Sequence, residues 1–329
     1  MNIACCYFPT QTILLDDNAN FLESMKFSLG KNNVIKAFKD SDEAIKYVAE
    51  TAVEPFTRRC LHRPEEQKIN HRIIDVEVDA IVKEMYNPKR FMENTVIVID
   101  YAMPSMHGLE VCQALRHLPI KKIMLTGEAE DKIAVQAFNQ GLIQKFIRKG
   151  GPSSVVASAI LELQKKYFVD QSTIVIDSLT RNMDYPPSCL DDPIFIQFFN
   201  DFCDKQKYTE FYLLDPMGSF LFLDEHAKPT FLIVKDEDGM QEGFEMADLN
   251  DTPVSSELLN ALKNKEKLLY FFDKSMQKQT DPKTWDRYAH KATKITGRDN
   301  YYYAITSDPE LYDIARNKIL PYSDYLRSL

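Results

Sequence analysis

The 329 residues carry 40 basic and 49 acidic side chains, a net charge of −9, and 44% are hydrophobic. At about 100–200 residues per domain, this length predicts two domains. Ten glycines and 16 prolines exclude a collagen-like or low-complexity chain, and no run approaches the roughly 18 apolar residues of a membrane span.

The start, MNIACCYFPTQ, has no basic region and no long apolar core, so it does not read as a secretory signal and a cytoplasmic location is expected. The six cysteines, Cys5, Cys6, Cys60, Cys112, Cys189 and Cys203, include no CxxC pair and read as reduced thiols rather than a disulfide framework or zinc site. Residues 1–170 hold 22 acidic and 22 basic side chains; residues 171–329 hold 27 and 18. A duplex-binding domain needs a basic face to displace counterions, so direct DNA binding by the second half is not expected.

Residues 12–15 (TILL) read as a buried strand ending at Asp16-Asp17. A helix over 20–29 places Phe21, Met25 and Leu29 on one face. Val34–Phe38 is a second strand, and Ser41 caps the next helix, which carries Ile45 and Val48. The next strand, VIVID, waits until residues 96–100, far beyond the usual loop of about 2–6 residues. Residues 52–92 therefore read as an insertion, helical in part because Ile74, Val78, Ile81, Val82 and Met85 recur at helical spacing; Ile73 is a further apolar residue there.

A helix over 108–117, a strand over 121–126, a helix over 130–140 and a strand over 144–148 follow, and then a helix from Ser153 carrying Val156, Ile160, Leu163 and Tyr167. Five strands alternating with five helices predict an α/β doubly wound parallel sheet with its site at the carboxyl ends of the strands. Residues 1–170 are thus expected as one domain and 171–192 as the linker. TIVIDSL is readable as more helix or as a strand, the latter favoured by its β-branched residues.

Residues 193–329 read as an α+β domain with an antiparallel sheet. Asp192 and Pro193 open a helix with Phe195, Phe198, Phe199 and Phe202 as a core stripe. FYLLD and SFLFLD form a hairpin, and PTFLIV over 229–234 is a third strand. A helical stretch over 240–265, strands at 268–272 and 301–306, and a helix over PELYDIARNKIL complete it. This half has no P-loop, GxGxxG or HExxH. His226 and His290 are isolated, Asp286 and His290 read as a helix-surface pair, Trp285 as a packing anchor, and Asp236-Glu237-Asp238 as a solvated turn.

The strand ends of the first half supply Asp16 and Asp17, then Asp100, Thr126 and Lys149. Carboxylates gathered at one sheet edge repel one another unless a divalent cation sits among them, and Mg²⁺ prefers such oxygen ligands. An Asp then acts as nucleophile toward a phosphoryl group, whose charge the metal and an ammonium offset.

LLDD at 14–17, VIVIDYAMPSMHGLE at 96–110, MLTGEAE at 124–130 and FIRK at 146–149 resemble the receiver domain of two-component response regulators. The resemblance covers about residues 12–166 without the insertion. It implies a flavodoxin-like fold, Asp100 as phosphoacceptor, and Mg²⁺ held by Asp16, Asp17, Asp100 and the backbone carbonyl of Ala102. It implies Thr126 as switch hydroxyl, Lys149 as the charge-neutralising lysine, and Phe146 as the switch aromatic. Ala102 and Glu128 take the positions that gate the attacking water. Its partners would be a sensor histidine kinase or phosphotransfer protein, and a second copy in a phosphorylation-dependent homodimer. Gly150-Gly151-Pro152 replaces the usual Pro after the lysine, the fifth strand starts one residue late, and the insertion is large. The overall plan resembles regulators of α-hydroxyketone quorum-sensing circuits. The alternative expectation for residues 193–329 is a receiver-regulated enzyme or a PAS-like small-molecule sensor.

Overall fold

The computed structural model describes residues 2–30, 33–54, 59, 61–62, 75–76, 78–127, 130–182, 188–271, 280–307 and 314–329. Contacts group the chain into two compact units. One comprises Tyr7–Arg59, Asn87–Gln171 and Tyr322–Leu329; the other comprises Met1–Cys6, Cys60–Tyr86 and Ser172–Pro321.

The first unit holds five parallel strands, β1 (Gln11–Leu15), β2 (Val34–Phe38), β3 (Asn94–Asp100), β4 (Lys121–Thr126) and β5 (Lys145–Arg148), in the order β2-β1-β3-β4-β5. Its helices are α1 (Ala19–Leu29), α2 (Ser41–Glu50), α3 (Gly108–Ala114), α4 (Asp131–Asn139) and the start of α5 (Ser153–Asn182). Alternation along each strand separates two cores. Ile97 and Ile99 of β3 pack with Ile13, Leu15, Val48, Val111 and Ala137 beneath α2, α3 and α4. Val96 and Val98 pack with Leu22, Met25, Val156, Ile160 and Leu163 beneath α1 and α5. This is the doubly wound α/β fold read from the alternation, in the flavodoxin-like strand order that the resemblance implies.

Local capping corrects one reading. Asp40, not Ser41, caps α2, its side chain accepting from Glu43 N at 3.0 Å; Ser41 is buried. The junction also differs. TIVIDSL continues α5, because Ser172, Val175 and Leu179 form a buried helical stripe that outweighs β-branched propensity. In the expected insertion, the described residues form a small antiparallel pair, Leu61–His62 with Asp75–Val76, and a helix, Val78–Lys83, that buries Ile81 and Val82. Ile73 and Ile74 lie outside the described residues.

The second unit contains a six-stranded sheet. Its order is a short edge strand beginning at Cys6, then β6 (Glu210–Leu213), β7 (Phe220–Leu223), β8 (Pro229–Asp236), β12 (Asn300–Thr306) and β11 (Thr293–Thr296). Helix α6 (Pro193–Gln206) lays Phe199 against Phe211 and Phe220. Helices α7 (Glu237–Asp248) and α8 (Ser256–Lys263), with strands β9 (Lys267–Leu269) and β10 (Ala289–Lys291), enclose Trp285, which is 1% exposed. The packing role read for Trp285 holds. The Asp236-Glu237-Asp238 run is not a turn: Asp236 caps α7, accepting from Gly239 N at 2.7 Å.

The strand expected over 268–272 stops at Leu269 and pairs with β10, in a separate sheet. His290 lies on β10 and Asp286 in a 3-10 turn, so they form no helical pair. Of PELYDIARNKIL, 309–313 lie outside the described residues and Arg316–Lys318 is a 3-10 turn. The terminal helix instead spans Tyr322–Ser328, with Tyr322 and Tyr325 against Phe91 of the first unit's own core.

Candidate functional site

Strand β1 delivers Asp16 buried, 1% exposed, and Asp17 exposed. The chain then turns tightly into α1. Asn18 N donates to Asp16 Oδ1 at 2.9 Å, and the Asn18 side chain accepts from Asn20 N and Phe21 N. Asn is a favoured cap because its short carbonyl satisfies N–H groups that the first helical turn leaves without partners. Strand β3 delivers Asp100, 3% exposed, whose Oδ1 accepts from Ala102 N at 3.3 Å. Carboxylate oxygens of Asp16, Asp17 and Asp100 all lie within 4.8 Å of one another.

Lys149, just past β5, joins this group. Its Nζ lies 2.7 Å from Asp100 Oδ2 and 2.8 Å from Asp16 Oδ2. Burial pushes the ammonium pKa down, but hydrogen bonds and charge from Asp100 and Asp16 more than offset this and leave it raised. One cation does not balance three carboxylates. At an effective dielectric of about 20, two unit charges about 4 Å apart interact by about 4 kcal/mol. The donor set therefore fits a hard divalent cation with oxygen ligands.

Thr126 ends β4 fully buried, and its hydroxyl has no hydrogen-bond partner among the described residues. Its carbonyl accepts from Lys149 N at 2.8 Å, which ties the two strand ends together. Gly127 N donates to the Glu130 carboxylate; Glu128 lies outside the described residues. Phe146 is partly buried on β5, edge-on to Phe138 with centroids 6.4 Å apart. The fold thus brings Asp16, Asp17, Asp100 and Lys149 into one cluster, joins Thr126 to it through backbone, and sets Phe146 in the core beside α4.

Two ring contacts of residues near these strand ends were not legible in the sequence. The Phe21 ring faces Lys149, with Nζ 5.2 Å from its centroid; its helical spacing with Met25 and Leu29 had marked it only as core. Tyr101 stacks on His107, with centroids 5.6 Å apart and planes 11° apart. The cap at Asn18 was within reach of sequence, since Asn directly before an apolar helical period is a start signal.

The family of the response regulator receiver domain matches residues 65–160. That stretch includes Asp100, Thr126 and Lys149; Asp16 and Asp17 join them through the parallel pairing of β1 with β3. Across its whole length the chain is similar to the Legionella pneumophila response regulator LqsR. Identity is 33%, the TM-score is 0.81, and the match covers 99% of this chain and 96% of that one. The chain belongs to the response regulators that carry a receiver domain.

A structure of adenylate cyclase from Rhodopirellula baltica is 22% identical, with TM-score 0.37 over 51% of this chain and 96% of its own. A receiver domain protein from Clostridium thermocellum is 16% identical, with TM-score 0.34 over 49% of this chain and 98% of its own. No curated protein matches. No helix among the described residues is long and apolar enough to cross a membrane.

Proposed function

We propose that the chain is a phosphorelay regulator that accepts a phosphoryl group on Asp100 from a sensor histidine kinase or a phosphotransfer protein. The observation that carries this is the Lys149 ammonium bridging Asp16 and Asp100 inside a cluster of three carboxylates. An Asp100 oxygen attacks the phosphorus of a phosphohistidine, a new P–O bond forms, the P–N bond breaks, and the imidazole leaves as the neutral ring after taking a proton. Asp16, Asp17, Asp100 and the Ala102 carbonyl are the groups that would hold Mg²⁺. When bound, the ion supplies charge neutralisation to the transferring oxygens. Lys149 would supply a second positive charge to the same group.

The unpartnered Thr126 hydroxyl is suited to donate to a phosphoryl oxygen on Asp100. That new bond is the local event that biases the fold toward a second state, with Phe146 as the side chain that follows it. Residues 171–329 act as an output region without DNA binding, a reading supported by their net charge of −9. The regulator works in the cytoplasm, a reading supported by Cys112 and Cys189, which are free thiols.

Incubation with a small phosphodonor and Mg²⁺ is expected to add one phosphoryl group, and chelation of the metal to prevent it. An Asp100→Asn variant that labels as well as the wild type would refute the assignment.

A further inference from the structure

Lys149 is held at its backbone, its N–H on Thr126 O at 2.8 Å, just before the permissive pair Gly150 and Gly151. Its side chain is 32% exposed and has four rotatable bonds. Asp16 and Asp100 attract the ammonium, and both belong to the same acidic cluster. The Phe21 ring is a further neighbour, with its centroid 5.2 Å from Nζ. This is within the roughly 6 Å at which an aromatic face attracts a cation.

The ring packs against the core beneath α1 and also borders the acidic cluster. Helix α1 already buries Leu22, Met25 and Leu29, while Phe21 is only partly buried. Its position is set from the acidic side. The Asn18 side chain accepts from Phe21 N at 3.2 Å, and Asn18 N donates to Asp16 Oδ1 at 2.9 Å. Asp16, Asn18, Phe21 and Lys149 thus form a closed ring of contacts, completed by the 2.8 Å ion pair from Lys149 back to Asp16.

We propose that Phe21 is a positioning residue, whose ring holds the Lys149 ammonium on Asp16 and Asp100 and thereby speeds phosphoryl gain at Asp100. The kinetic part rests on the reading of Asp100 as acceptor. Leucine at this position fills similar space but presents no π face, whereas tyrosine keeps one.

Labelling rates with a small phosphodonor and Mg²⁺ are measured for wild type, Phe21→Leu, Phe21→Tyr, Lys149→Ala and the Phe21→Leu/Lys149→Ala double variant. Phe21→Leu slows labelling about two- to fivefold, the rate equivalent of an exposed cation–π contact. Phe21→Tyr restores the rate, and Phe21→Leu has no further effect once Lys149 is gone. An unchanged rate in Phe21→Leu, or the same loss in the Lys149→Ala background, overturns the proposal.

Acylation of Lys149 by a succinimidyl ester, read by peptide mass on the metal-free protein, tests the positioning without any transfer. Phe21→Leu should raise the rate at Lys149 at least about twofold and Phe21→Tyr should leave it as in the wild type; equal rates in all three overturn the proposal. A wild type that fails to label while the acylation pattern holds removes the acceptor reading and the rate effect, and leaves the hold on Lys149 standing.

Discussion

Gly108 meets the backbone of Asp100 so closely that a Cβ on it would stand 2.4 Å from the Asp100 carbonyl oxygen. Gly108 also donates its N–H to Tyr101 O at 3.0 Å, so the loop between them is closed at both ends. Alanine is the better helix former by about 1 kcal/mol, but here the added methyl displaces the backbone that carries the acidic cluster. Gly108→Ala is expected to lower stability by about 1–3 kcal/mol, the usual range for overpacking. Urea denaturation checks this, and labelling at Asp100 should fall with it.

Thr126 offers the opposite case, a buried polar atom whose removal helps the resting state. A buried hydroxyl without a partner carries a desolvation cost of about 1–3 kcal/mol. Thr126→Val keeps the shape and is expected to leave stability unchanged or raise it by up to about 1 kcal/mol. If phosphorylation engages the hydroxyl, labelled Thr126→Val will show a smaller phosphoryl-induced change in backbone amide NMR shifts than labelled wild type.

Asp192 governs stability in the second unit through pH. It is fully buried at the start of α6, and accepts from Ile194 N at 2.8 Å, Arg298 N at 2.5 Å and Tyr301 OH at 2.9 Å. Burial raises its pKa, but these donors outweigh burial and hold it below the ordinary carboxylate value. The group therefore stabilises the fold above an unfolded value of about 3.9, and that contribution is lost as pH falls through the lower folded value. Asp192→Asn should cost about 2 kcal/mol near pH 7, with the gap to the wild type closing in strong acid. Denaturation series at several pH values decide it.

The parts of this fold that were legible in sequence are those fixed by local period and by strand ends. Val96–Asp100 alternates between two cores and ends on the acidic residue, so both the strand and Asp100 could be read directly. What could not be read depends on tertiary contact. TIVIDSL has strand-forming residues, and only its buried face settles it as helix. The terminal helix over Tyr322–Ser328 is short, and it is held by Phe91, far away in sequence. Phe21 looked like core because a helical period does not show what lies opposite a ring.

Association is expected to follow phosphorylation, with a homodimer as the simplest symmetric product. Val156, Ile160, Leu163 and Tyr167 are all buried, so they are not available to a partner. Among the described residues, the large apolar side chains left exposed on α4 and α5 are Val135 and Phe138, and Val155, Leu161 and Ile174. Light scattering with Mg²⁺ is expected to show a larger mass with beryllofluoride than without, and Phe138→Glu with Val155→Glu to abolish the increase. An equal mass in both states would confine switching to one chain.

Asp100, among all the carboxylates of this acidic protein, is the one expected to receive the phosphoryl group. Borohydride reduces an aspartyl phosphate to homoserine, which marks the labelled position permanently in the peptide chain. Wild-type protein treated with phosphodonor and Mg²⁺, then reduced and mapped by peptide mass spectrometry, is predicted to carry homoserine at position 100 and at no other aspartate. Homoserine at Asp16 or Asp17, or at none of the three, would contradict the account.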